Sequence, residues 1–161
     1  MELISEKEFR QKLLNTCSDG DFPQTKKLIQ EFNQLNSGVE NPSRVLFDGA
    51  FFAALNYKHF EIASYIIERG LDHWILEDAI YNEVYATSEL LDWGIQGPIQ
   101  EDPTPELNFL ISKGSNINFL DQKGRTPLDL AVLFNYPKAA EILLKAGAKR
   151  GSELMRETTS E

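Results

Sequence analysis

The sequence is poor in cysteine, histidine and methionine, with one, two and two of them among its 161 residues. Cys17 has no second cysteine to pair with, so an internal disulfide is excluded, and a lone thiol fits a reducing cytoplasm better than a secreted scaffold. His59 and His73 stand apart, with no cysteine beside them, so no transition-metal site is expected. Long apolar runs are missing: the longest is Ala50 to Leu55, far short of the ~20 residues that span a bilayer. No basic stretch followed by an apolar segment opens the chain, so no leader peptide is expected. Glycine-rich phosphate loops are also absent, since Gly94 and Gly97 flank no Gly-Lys-Ser/Thr sequence. Positive charge is in deficit: 16 basic against 25 acidic residues give a formal charge of −9. A surface of that sign repels the phosphate backbone, which argues against nucleic acid as a partner. The remaining 42% hydrophobic content is enough to pack the core of one domain.

What is present is self-similarity. Three segments end alike, at Tyr65-Ile66-Ile67-Glu68-Arg69-Gly70, Phe109-Leu110-Ile111-Ser112-Lys113-Gly114 and Ile142-Leu143-Leu144-Lys145-Ala146-Gly147. Each reads as the last turns of a helix closed by a glycine that takes the left-handed conformation without a Cβ penalty. Gly114 and Gly147 are 33 residues apart, while Gly70 and Gly114 are 44 apart. In the last copy, Thr126 supplies an N-cap hydroxyl and Pro127 the first helical position, ahead of Leu128 to Val132. A break at Asn135-Tyr136-Pro137 then leads to a second helix from Lys138 to Ala146.

Read from Asp121 through Gly124, Thr126-Pro127-Leu128 and Leu130-Ala131 to Leu143-Leu144 and Gly147-Ala148, this copy resembles an ankyrin repeat, whose period is 33 residues. Weaker copies fall in register with it. Phe51, Ala53 and Ala54 stand where Leu128, Leu130 and Ala131 stand, and His59 and Glu61 occupy positions where the family often has the same residues. An earlier copy runs from Leu13 through Gly20-Asp21 to Leu28-Ile29, with Phe32 in place of the closing glycine. Surplus residues lie beyond it, between Asn36 and Arg44. The resemblance implies an all-α solenoid of four helix-turn-helix units, about residues 10–35, 48–71, 74–114 and 124–148, forming a single domain over 1–148 with a polar tail at 149–161. It also implies a non-enzymatic module that binds other proteins.

The third unit departs from the pattern. Ile75, Leu76, Ala79 and Ile80 recur at helical spacing and predict a helix over 74–85. Breakers at Gly94, Gly97-Pro98 and Pro103 place an 11-residue surplus between the two helices of this unit, with one extra helical turn over 88–93, and an alternative alignment puts the surplus in the finger loop instead. From Gly70 to Ser112 there is no lysine or arginine, yet the segment holds nine acidic residues. The rest of the chain is charge-balanced. Trp74 and Trp93, the only tryptophans, lie here with Tyr81 and Tyr85. Aromatic anchors ringed by charge are the usual make-up of a protein interface. The expected partner-binding residues are therefore Trp74, Glu77, Asp78, Tyr81, Glu83, Tyr85, Asp92, Trp93, Glu101 and Asp102, with Phe119 and Asp121 from the finger loop at 118–121.

No catalytic constellation accompanies them. Cys17 aligns with Val132 and reads as a buried thiol, His59 as a hydrogen-bonding residue near a helix turn. The pairs Glu77-Asp78 and Glu101-Asp102 point different ways on a helix and match no calcium loop. No cofactor and no metal are expected. The chain reads as a monomeric, cytoplasmic protein that binds another protein through a basic patch on that partner. A second reading is a dedicated inhibitor, such as an immunity protein whose carboxylates imitate nucleic acid in the basic cleft of a nuclease toxin.

Overall fold

The computed structural model describes residues 6–35, 44–92 and 104–158. Among them nine helices and no strands are present. The chain divides into two compact units, Met1–Asp72 and His73–Glu161, with the boundary between the second and third repeat copies.

The first unit contains α1 (Glu6–Asp19), α2 (Phe22–Leu35), α3 (Arg44–Asn56) and α4 (Phe60–Ile67). α1 packs on α2 and on α3, and α4 packs on α3 and α2. The core is made by residues recurring at three- and four-residue spacing: Phe9, Leu13 and Cys17 from α1, Leu28 and Ile29 from α2, Phe47, Ala50, Phe51 and Ala54 from α3, and Ile62, Ala63 and Ile66 from α4. Phe32 sits inside α2, which runs three residues past it, and its ring stacks on Phe9 at 4.8 Å. A helix without a glycine stop simply continues.

The turn between α1 and α2 shows how neighbouring pairs lock together. Gly20 has φ +75°, and a Cβ there would lie 2.6 Å from the His59 ring. His59 Nε2 donates to the Ser18 carbonyl at 3.0 Å. The imidazole of the second pair thus sits on the turn of the first, the role expected for it. Cys17 is fully buried, 4.0 Å from Thr25 Oγ1. Burial pushes its pKa up to about 11, against the lowering effect of hydrogen bonds from Thr25 and Thr16.

The second unit contains α5 (His73–Asp92), α6 (Thr104–Ser112), α7 (Pro127–Leu133), α8 (Pro137–Lys145) and α9 (Gly151–Thr158). α5 packs on α6 and α7, and α8 on α6 and α7. Ile75, Leu76, Ala79, Ile80 and Val84 of α5 are buried, as are Leu107 and Leu110 of α6, Leu128, Leu130 and Ala131 of α7, and Ala139 and Leu143 of α8. α5 is one helix of 20 residues. Part of the surplus therefore lengthens the first helix of the pair; residues 93–103 lie outside the described residues. Gly70, Gly114 and Gly147 have φ of +98°, +82° and +88°, so all three repeat ends close as their glycines require.

α7 opens on a full capping box. Thr126 Oγ1 accepts from the Asp129 amide at 3.3 Å, and Asp129 Oδ2 accepts from the Thr126 amide at 3.0 Å. The same carboxylate anchors α9, which occupies 151–158 of the polar tail expected over 149–161. Asp129 Oδ2 also accepts from the Gly151 amide at 2.8 Å, and Oδ1 from Arg150 Nη1 at 3.2 Å. Thr126 Oγ1 donates to the Lys149 carbonyl at 2.9 Å. Gly151 lies so close to the Gly124 carbonyl that a Cβ would overlap it. No described helix is long and apolar enough to cross a membrane.

Candidate protein-binding site

Trp74, Glu77, Asp78 and Tyr81 succeed one another along α5 at spacings of three, one and three residues, which places them in a single stripe two turns long. The core positions of α5 fill the opposite side. The stripe faces the loop that joins α6 to α7, and together they enclose an open groove of about 520 Å³. The opposing wall is built from Phe119, Leu120, Asp121, Gln122, Lys123 and Arg125.

The loop is held in shape by Asp121. Its Oδ1 accepts from the amides of Lys123 and Arg125, each at 2.8 Å. Its Oδ2 takes Arg125 Nε at 2.8 Å and Nη2 at 2.7 Å, a two-pronged pair. The Asp121 amide donates to the Arg125 carbonyl at 2.9 Å, and the Gly124 amide to the Asp121 carbonyl at 2.9 Å, closing a turn. Burial alone would raise the Asp121 pKa; the hydrogen bonds and charge of Arg125 and the two amides outweigh it and hold the carboxyl below the ordinary range. Arg125 is held in its charged form first by Asp121 and in addition by Tyr81. One guanidinium thereby ties the loop to the helix wall. The Tyr81 and Phe119 rings lie 6.3 Å apart at 48° and form the aromatic floor between the walls.

Trp74 stands at one end of this floor with 57% of its surface exposed. An indole left in water is an unfilled opportunity for burial, because a large ring brings area and little rotamer entropy to an interface. Glu77 and Asp78 carry the negative charge of the helix wall, and Asn82 Nδ2 donates to Asp78 Oδ2 at 3.3 Å. Lys123 stands on the loop wall.

Of the residues expected from the sequence, Trp74, Glu77, Asp78, Tyr81, Phe119 and Asp121 meet in this groove. Glu83 does not: nine residues past Trp74, it is two and a half turns round α5, on the far side of the helix from the stripe. Tyr85 and Asp92 belong to α5, but their side chains lie outside the described residues, as do Trp93, Glu101 and Asp102 altogether. Asp121 is a positioning residue, its oxygens taken up by the loop. Arg125 and Lys123 are additions to the expected set. The spacing of Asp121, Gly124 and Arg125 carries the signal for the first, a turn closed by an oppositely charged pair.

The groove lining offers an aromatic floor, carboxylates, two cations and no cysteine, histidine or aliphatic hydroxyl. No group of three or more His, Cys, Asp and Glu suited to a metal ion occurs among the described residues. Compared with known families, residues 123–152 match the ankyrin repeat. No curated protein matches the chain.

Proposed function

We propose that this chain, which carries an ankyrin repeat at 123–152 among its helices, is a protein–protein interaction module and binds through the groove between α5 and the 117–125 loop. Ankyrin-repeat proteins are generally non-enzymatic, and the lining supports the same reading here. The observation that carries the proposal is Trp74, exposed at the end of the Tyr81–Phe119 floor beside Glu77 and Asp78. An apolar anchor flanked by carboxylates suits a partner segment that presents a lysine or arginine next to an apolar side chain. The protein acts as a monomer in the cytoplasm on this reading, and the single, buried thiol fits such a reducing compartment.

A nucleic-acid mimic that inhibits a nuclease needs uncompensated carboxylates. Asp121 spends its charge on Arg125, and Lys123 stands in the same lining, which favours the binding module over the mimic. The test is capture of the partner from the native source with wild-type protein, followed by affinity measurement with variants. Trp74→Ala is expected to weaken binding by about 30-fold or more, as loss of an aromatic anchor buried by the partner costs about 2 kcal/mol or above. Glu77→Lys with Asp78→Lys should slow association and flatten its salt dependence. Unchanged affinity in both variants would sink the proposal.

A further inference from the structure

The first unit carries an aromatic–cation cluster that the groove does not involve. Phe22 and Lys26 lie one turn apart on α2, and Tyr65 of α4 lies four residues before Arg69, just past that helix. The Phe22 and Tyr65 rings meet edge to face at 5.4 Å and 80°. Lys26 Nζ lies 3.9 Å from the Phe22 ring centre and 5.5 Å from that of Tyr65, and Arg69 Cζ lies 4.2 Å from the Tyr65 centre. Two exposed cations, one on α2 and one just past α4, are therefore gathered on one pair of rings.

Among the described residues their charge is left uncompensated. The chain has nine more acidic than basic residues, and Lys27, next to Lys26, reaches Glu31. Yet neither Lys26 nor Arg69 has a carboxylate at ion-pair distance among the described residues. Ring faces attract each cation by only about 0.5–1 kcal/mol at an exposed site, and the two cations repel each other. Tyr65 is 9% exposed, and its buried hydroxyl has no hydrogen-bond partner among the described residues, so no polar network there explains why the cluster is assembled.

We propose that Lys26 and Arg69, held over the Phe22–Tyr65 pair, are a docking point for a carboxylate side chain of an acidic partner segment. The rings restrict two long side chains, which lowers the ordering cost of binding an anion between them. A carboxylate, carrying one negative charge, suits the setting better than a phosphate with nearly two. The cost of desolvating an anion grows with the square of its charge, so the half-buried Phe22 and buried Tyr65 rings beneath the two cations penalise a dianion more than a monoanion.

The experiment uses the full chain and a fluorescein-labelled hexaglutamate peptide, read by anisotropy at about 0.15 M salt, where the overall negative field is screened beyond about 8 Å. Saturable binding is expected, weakened about fivefold by Lys26→Gln or Arg69→Gln and lost in the double variant. Tyr65→Phe, which keeps the ring, should bind like wild type, and so should Trp74→Ala, which separates this site from the groove. In the wild-type protein the Arg69 Nε–H resonance should shift as peptide is added, a readout that needs no variant. Absence of saturable binding, equal binding by the double variant, a silent Arg69 resonance, or displacement by inorganic phosphate at lower concentration than by acetate would overturn the proposal.

Discussion

At the scale of single residues, the most informative groups are those whose chemistry the fold suppresses. Cys17 is fully buried and its pKa is pushed up to about 11, so at pH 8 it stays a thiol with no path to solvent. A thiol reagent such as DTNB is therefore expected to leave the native protein untouched and to react only when the first unit opens, so that the labelling rate measures that opening. Tyr65 is a different case. Its hydroxyl is buried with no partner among the described residues, so Tyr65→Phe should leave stability unchanged or raise it by up to about 1 kcal/mol in a denaturant melt. The sequence shows why Cys17 and His59 are inside, since both fall at repeat positions. It is silent about Tyr65, whose surroundings come from α2 and α4, about forty residues apart.

At the scale of elements, α9 is the segment whose fate hangs on one side chain. Asp129 caps α7 and accepts the Gly151 amide and the Arg150 guanidinium. Asp129→Ala should cost about 2 kcal/mol and release α9, seen as lost helical circular dichroism and faster exchange of the Gly151 amide. Acid should do the same. Burial would raise the Asp129 pKa, but the hydrogen bonds of Thr126, Gly151 and Arg150 hold it below the ordinary range. A depressed folded-state pKa means stability present above the unfolded value of about 3.9 and lost as pH falls through the folded value. The Gly151 amide shift should accordingly titrate below pH 4, with α9 leaving as it does. Helix periods and glycine stops make the helix pairs legible in the sequence. α9 is not, because its anchor joins Asp129 to residues 21 and 22 positions away and its own composition is that of a tail. α5 outruns the helix its spacing predicts for a related reason: nothing between Tyr85 and Asp92 stops a helix, and propensity alone does not say where one ends.

For the molecule as a whole, charge is placed unevenly, and stability and binding are expected to oppose each other. Nine acidic and no basic residues between Gly70 and Ser112 repel one another, so the melting temperature should rise as salt increases from about 0.01 to about 0.2 M. Glu77→Lys should raise it further while weakening partner binding, a separation of the two properties that a purely structural acidic face would not produce. The location of this charge and its aromatic neighbours is readable from the sequence. The wall facing them is not, because it depends on Asp121 and Arg125 folding the loop back toward Tyr81, a contact between residues about forty positions apart.

The helix wall of the groove contains no primary amine, and neither does the chain anywhere between Arg69 and Lys113. Trypsin has no site to cut there, and acylating reagents, amine cross-linkers and ubiquitin have nowhere to attach. Among the residues that line the groove, Lys123 alone carries an amine. Its acylation, followed by mass spectrometry with and without a partner, thus becomes a footprint of groove occupancy recorded on the loop opposite a helix that lysine chemistry cannot mark.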